Sequence, residues 1–401
     1  MLSRDARLLF TARIVRLFAY GFVAVVLVLY LSSIGLDDHR IGMLLSLTLA
    51  GDVVVSLFLT TRADALGRKR TLLAGAVLMV GAAVVFVITR DFTLLVLAAT
   101  IGVISPSGNE VGPFLAVEQV ALAQVAQGKD RISLFAWYNL AGSFATATGS
   151  LAGGFLAGRL MSSGFGPVAS YRSAIVAYAV LGVVLATVFL FVSSSIEGEH
   201  VARSVRSLFH VERSRGIVTK LSSLFALDSF AGGLVVQSIV AYWFFRRFGL
   251  SPAALGTLFF GANLAAGVSA LTAARIAKRF GLLNTMVFTH LPSNVLLILI
   301  PLMPTLPLAI GVLLLRFSIS QMDVPTRQAF VIAAVDPSER TAAAGITGVA
   351  RTTGAALAPV VAMPLIASLT HGWVPFVAAG TLKIVYDLVL LRSCRGVRLE
   401  G

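Results

Sequence analysis

Apolar runs of about eighteen or more residues follow one another along the chain, separated by short polar breaks. A bilayer core of about 30 Å is crossed by a helix of about 20 apolar residues. Twelve runs meet that length: 13–34, 41–61, 71–89, 93–124, 131–157, 171–193, 218–246, 253–273, 282–303, 307–334, 341–369 and 374–391. They predict an all-α membrane protein with twelve transmembrane helices. The first run follows Arg4 and Arg7 without a small-residue cleavage site, so it reads as a retained helix. The longest polar stretch, Ser193 to Lys220, falls in the middle. It predicts a six-helix bundle at 1–192, a cytoplasmic linker at 193–217 and a second six-helix bundle at 218–401.

Composition agrees. Of 401 residues, 57% are hydrophobic and 12% charged, with a mean hydropathy of +0.91. Soluble domains are about 45–50% apolar and about 25% charged. The single cysteine, Cys394, excludes a disulfide framework and a cysteine metal cluster. The net charge of +14 sits in short clusters between apolar runs, which points to membrane orientation and not to nucleic acid. The N-terminus, the even-numbered loops and the C-terminal tail hold twenty Lys and Arg, and the opposite loops hold six: Arg40, Arg90, Arg159, Arg172, Arg246 and Arg247. Basic loops stay inside, so both termini are expected in the cytoplasm, the chain lying in the inner membrane. No phosphate-binding glycine loop and no metal-spaced His/Cys set is present among five histidines and one cysteine. No enzyme activity, cofactor or metal is expected, and any transport must draw on an ion gradient or the substrate's own.

The halves repeat each other. Gly35-Leu36 followed by Gly42 recurs as Gly249-Leu250 followed by Gly256, and Gly67 recurs as Gly281, all at an offset of 214. Gln119 recurs as Gln328, and Asp130-Arg131 as Glu339-Arg340, at an offset of 209. A duplicated six-helix unit is the architecture of transporters that rock two halves about a central site.

The loop after the second span reads Thr60-Thr61-Arg62-Ala63-Asp64-Ala65-Leu66-Gly67-Arg68-Lys69-Arg70. Gly67 permits a tight turn between helices, and Asp64 can pair with Arg68 or cap a neighbouring helix. Asp64, Gly67, Arg68 and Lys69 resemble motif A of the major facilitator superfamily, with Thr60 in place of its first glycine. The fifth span carries Gly149-Ser150-Leu151-Ala152-Gly153-Gly154. Gly149, Gly153 and Gly154 look like motif C of the superfamily's proton-linked antiporters, with Ser150 in place of the proline; ordinary small-residue packing explains them equally well. Pro359 stands at the repeat position of Ser150. The resemblance implies the major facilitator fold, alternating access and secondary transport, with the first, fourth, seventh and tenth spans lining the cavity.

Charges inside hydrocarbon are costly and should face the bundle interior and pair. Glu110, Asp228, Asp323 and Asp52 are the candidate proton-coupling acids, Glu110 first because it lies deepest in a stretch broken by Pro106 and Pro113. Arg316, Arg351, Asn109, Gln321 and Tyr20 are the candidate substrate-binding residues; Tyr30, Trp243 and Phe317 add aromatic surface. Glu118 and Arg327 occupy mirror positions of the repeat and could lock the halves by an ion pair; alternatively each serves its own half. Asp323 and Arg327, four apart, are expected to pair, as are Lys383 and Asp387. Arg13 and Arg16 are expected to snorkel, and His290 to be a satisfied interior histidine. The first reading is a monomeric proton-coupled efflux antiporter of a small amphipathic compound or organic anion. Uptake of a small anionic metabolite by symport is the alternative, and a receptor that no longer transports is the alternative of another class.

Overall fold

The computed structural model describes residues 3–125, 131–197, 211–368 and 370–395. Lys129, Asp130, Arg203, Arg206 and Arg398, counted above for charge or repeat, lie outside the described residues, as do the side chains of Asp64 and Arg131. Among the described residues every regular element is helical.

The first span, α1 (Arg4–Ser33), starts nine residues before its apolar run. Ser3 caps it by accepting the Ala6 N–H, and Asp5 sits in its first turn, where the helix dipole favours an acid. The Asp5 carboxylate also accepts the Ser193 N–H at 2.9 Å and the hydroxyls of Ser193 and Ser195 at 2.6 Å each, tying the helix start to the end of the sixth span. Spans two and three are α2 (Asp38–Leu66) and α3 (Arg68–Ile88), joined through Gly67 at φ 95°. The fourth is two half-helices, α4 (Phe92–Ile101) and α5 (Phe114–Val125). The fifth and sixth are α6 (Arg131–Ser162) and α7 (Pro167–Leu190). The seventh divides into α8 (Arg215–Gly233) and α9 (Gln237–Phe248); the eighth and ninth are α10 (Pro252–Phe280) and α11 (Leu282–Leu299). The tenth divides into α12 (Leu306–Ser320) and α13 (Asp323–Ala333), the eleventh into α14 (Arg340–Ala356) and α15 (Pro359–Ala367), and α16 (Val374–Cys394) is the twelfth. Ten of these spans are long and apolar enough to cross a bilayer by that measure alone. The other two are the 32-residue α6 and the paired α4 and α5.

The break in the fourth span covers residues 102–113, where Pro106 and Pro113 cannot continue a helix. Irregular backbone at membrane depth must find partners inside the protein. It does. Tyr178 donates its hydroxyl to the Val103 carbonyl at 2.6 Å, Tyr20 to Val111 at 3.1 Å, and Ser105 to Asn109 at 2.7 Å. The Ser238 N–H donates to Pro106, and Asp52 Oδ1 accepts the Gly112 N–H at 2.5 Å. Gly108 and Gly112 adopt φ 71° and 80°, a region open to glycine. In the eleventh span the helix resumes at Pro359, so the bend that Ser150 does not make in unbroken α6 is made there.

The chain divides into two compact units: Met1–Ala202 with Val236–Phe260, and Arg203–Val235 with Gly261–Gly401. A cut at the polar linker alone would have left 218–401 together; instead α9 and the start of α10 belong with the first six spans. The reason is close packing. A Cβ on Gly149 would stand 2.0 Å from the Phe18 carbonyl oxygen, one on Gly153 2.2 Å from that of Phe22, and one on Gly154 2.3 Å from that of Pro252. The glycine run of α6 therefore lets α1 and the start of α10 approach to backbone contact. In the second unit Phe225, Met286, Val287, Phe330 and Tyr386 share one apolar core. The repeat is visible in the backbone: Gly35 and Gly249 take φ 93° and 65°, and Gly67 and Gly281 take 95° and 82°.

Candidate functional site

At the motif A loop the N-terminus of α3 offers free N–H groups. Glu197, just beyond the sixth span, fills them: its carboxylate accepts the Arg68 N–H at 2.6 Å and the Lys69 N–H at 3.1 Å. Arg68 Nη1 donates to Gln124 at 2.6 Å and to the Ile196 carbonyl at 2.9 Å, and Lys69 Nζ to the carbonyls of Leu190 and Val192. Gly67, Arg68 and Lys69 thus clamp the third, fourth and sixth spans together. Glu197 went unnoticed in the sequence because no spacing relates it to a loop 130 residues earlier.

The first buried polar cluster lies within the first unit, on α1, the fourth span and α6. Arg16 is fully buried and makes a two-pronged pair with Glu118, Nη1 to Oε1 at 2.6 Å and Nη2 to Oε2 at 2.7 Å. It also reaches Glu110 through Nε at 3.2 Å and Nη2 at 3.1 Å. Arg13 Nη1 donates to Glu110 at 2.5 Å and its Nη2 to Asn139 at 3.1 Å. Tyr138 donates its hydroxyl to Glu118. Two guanidiniums and two carboxylates therefore satisfy one another. Arg13 and Arg16 do not snorkel to an interface: a hydrated head group would leave both glutamates unpaired in the interior. Glu110 keeps 18% of its side chain exposed and Glu118 none. Asn109 beside them is exposed, whereas Tyr20 is buried and braces the broken span. Asp52 is engaged by Gly112 and by the Ser56 hydroxyl at 3.0 Å.

The second cluster lies within the second unit, on α8, α11, α13 and α16. Asp228 accepts from Lys383 Nζ at 2.6 Å and from Arg327 Nη1 at 3.1 Å, and Arg327 also meets Asp323 at 3.2 Å, the expected one-turn pair. Asp387 accepts from Asn294 Nδ2 at 3.0 Å, and its Oδ1 lies 2.9 Å from His290 Nδ1. Lys383 and Asp387 do not pair with each other, because α8 brings Asp228 closer to the ammonium than one helical turn brings Asp387. Glu118 and Arg327 each have partners inside their own unit, as the second of the two alternatives has it. His290 is satisfied, as expected, but by carboxylates. Tyr30 is buried, with its hydroxyl on the Phe86 carbonyl, and Trp243 is buried against Phe244.

Arg316 on α12 and Arg351 on α14 differ from these. Among the described residues no carboxylate lies within ion-pair distance of either, and both are half-buried. Arg316 lies over the Phe317 ring at 5.2 Å. Gln321 follows at the α12–α13 break, half-buried, its N–H donated to Ser269. With Arg327 and Lys383, the spans of this unit hold these four bases against the three acids Asp228, Asp323 and Asp387.

The sequence matches the model of the Major Facilitator Superfamily over residues 9–359. It is 30% identical over 426 aligned residues to the uncharacterized membrane protein YJR124C of Saccharomyces cerevisiae, covering 98% of this chain and 95% of that one. Among solved structures it resembles the nucleoside transporter NupG, with a TM-score of 0.76 at 16% identity over 97% of this chain and 98% of that one. It also resembles the xylose transporter XylE from E. coli in its inward open conformation, with a TM-score of 0.74 at 14% identity over 98% of both chains. These likenesses show the fold. Twelve apolar spans, repeated glycine junctions and charges gathered inside each unit agree with the family match, and the chain is a multi-pass membrane transporter that belongs to the Major Facilitator Superfamily.

Proposed function

We propose that the chain moves a small organic anion together with protons by alternating access. What carries the anion is the pair Arg316 and Arg351. A half-buried guanidinium with no carboxylate at ion-pair distance is costly, and in a membrane protein such residues mark substrate pathways. The planar fork of arginine suits a carboxylate or phosphate. Asn109 and Gln321, each beside a helix break, are the candidate neutral donors.

Direction follows from linkage. A proton taken up in the second unit adds positive charge to the unit that holds both arginines and tightens the anion there, and the effect is reciprocal. Ligands that help each other bind travel together, so symport is the reading that the charge balance supports. Efflux in exchange for protons, implied by the motif C resemblance, needs competition between the two, and the glycines behind it are occupied in packing α6 on α1 and α10. In this reading one chain suffices and both termini face the cytoplasm.

The test is flux in proteoliposomes holding the full chain, with an internal pH dye and a panel of small mono- and dicarboxylates. Entry of at least one anion should acidify the interior, and Arg316→Gln or Arg351→Gln should slow it at least about tenfold with the melting temperature kept. Alkalinisation on entry would overturn symport in favour of antiport. Absence of anion-dependent flux under any gradient would overturn transport in favour of a receptor.

A further inference from the structure

We propose that His290 and Asp387 hold the coupling proton, at a site on the ninth and twelfth spans separate from the anion-binding arginines. This rests on the proton-coupled reading above.

Asp387 is fully buried, and among the described residues it is the membrane acid of its unit with no lysine or arginine within ion-pair distance. Its partners are an imidazole and an amide, groups that carry no fixed charge. His290 stands between two carboxylates: Nδ1 is 2.9 Å from Asp387 Oδ1, and Nε2 is 3.9 Å from Asp228 Oδ1. In the neutral ring one nitrogen lacks a hydrogen. A proton from water that adds there makes an imidazolium with an N–H aimed at each acid, and its loss restores the neutral ring. Imidazole is the side chain that makes this exchange near neutral pH.

The surrounding charges give the proton a route to the rest of the unit. From α8, Asp228 shares its two oxygens between Lys383 of α16 and Arg327 of α13. From α13, Asp323 holds the other side of Arg327. Tyr386 of α16 stands edge-on to the imidazole, with ring centroids 6.1 Å apart. Beyond ion-pair distance, Arg351 of α14 feels the like charge of Arg327 and the opposite charges of Asp228 and Asp323, and Arg316 of α12 feels the same two acids. An imidazolium that draws on Asp228 loosens its hold on Arg327 and raises the positive charge around Arg351. The added charge is thereby felt at the anion site through one shared carboxylate, while the proton stays on the imidazole.

The test uses the full chain in lipid nanodiscs, with the proton alone as probe. Imidazole nitrogens are followed by ¹⁵N-histidine NMR and the carboxylate stretch by infrared difference spectra across about pH 5 to 8. A histidine signal and a carboxylate band that shift together are expected. Both changes should vanish in His290→Gln, the carboxylate change alone in Asp387→Asn, and both should remain in Arg316→Gln. In proteoliposomes, Asp387→Asn should lose accumulation driven by a pH gradient, at least about tenfold, and keep anion–anion exchange with the same carboxylates. A carboxylate change that persists in Asp387→Asn, or gradient-driven accumulation unchanged in that variant, would overturn the assignment. If the bands are lost as expected and no anion moves with protons in the unaltered chain, the proton site stands and the symport reading fails.

Discussion

At the scale of residues, the buried charges are fixed by their partners, and the partners come from distant parts of the chain. Arg16 and Glu118 have no exposed side chain and are separated by 102 positions. Removing one member of such a pair leaves the other buried and unmatched, which costs about 3–5 kcal/mol. Arg16→Gln is therefore expected to destabilise the first unit more than Arg13→Gln, since Arg13 serves Glu110, which Arg16 also holds. Thermal unfolding in detergent compares the two. Exchanging Glu118→Arg and Arg327→Glu together should not restore what either change loses, because each residue answers to its own unit. The sequence identified the acids among these charges as interior, since an ionisable residue in an apolar run needs a reason, but set Arg13 and Arg16 at an interface. It did not identify who pairs with whom: Lys383 and Asp387, one turn apart on α16, look like partners until α8 and α11 supply nearer ones in Asp228 and His290.

At the scale of elements, glycine and proline decide where helices touch and where they stop. Gly149 in α6 faces the Phe18 carbonyl so closely that any side chain must part α6 from α1. Gly149→Val should lower the yield of folded protein sharply, whereas Gly311→Ala in α12, where nothing lies within 4 Å, should raise stability by about 0.5–1 kcal/mol. Fluorescence-detected size exclusion and melting temperature read both. The cap on α3 belongs here as well: Glu197→Ala strips two N–H groups of their acceptor and should cost about 1 kcal/mol. The fourth-span break was legible because Pro106 and Pro113 fall within it. The seventh-span break at 234–236 was not, since Leu234, Val235 and Val236 are ordinary apolar residues. There the signal is tertiary: α9 meets the fourth-span break through the Ser238–Pro106 hydrogen bond and α6 through Gln237 and Ser150.

At the scale of the whole molecule, hydropathy and the repeat made the twelve spans and their doubling readable, because length and apolar content are enough to specify a crossing helix. The assignment of α9 to the first unit was not readable, since a polar linker marks where the chain is thin and not where its helices pack. Orientation remains a matter of basic residues, twenty on one side against six on the other. That asymmetry predicts which loops an impermeant reagent reaches. Cys394 is the sole cysteine and is 2% exposed, so a Cys394→Ser background is silent. In it, Ser163→Cys lies between α6 and α7 and Ser338→Cys between α13 and α14, both at exposed positions. With spheroplasts, an impermeant maleimide should label the first directly and the second only after permeabilisation. The reverse pattern would place the motif A clamp of Gly67, Arg68, Lys69 and Glu197 outside the cell. The basic loops would then face away from the side that normally retains them.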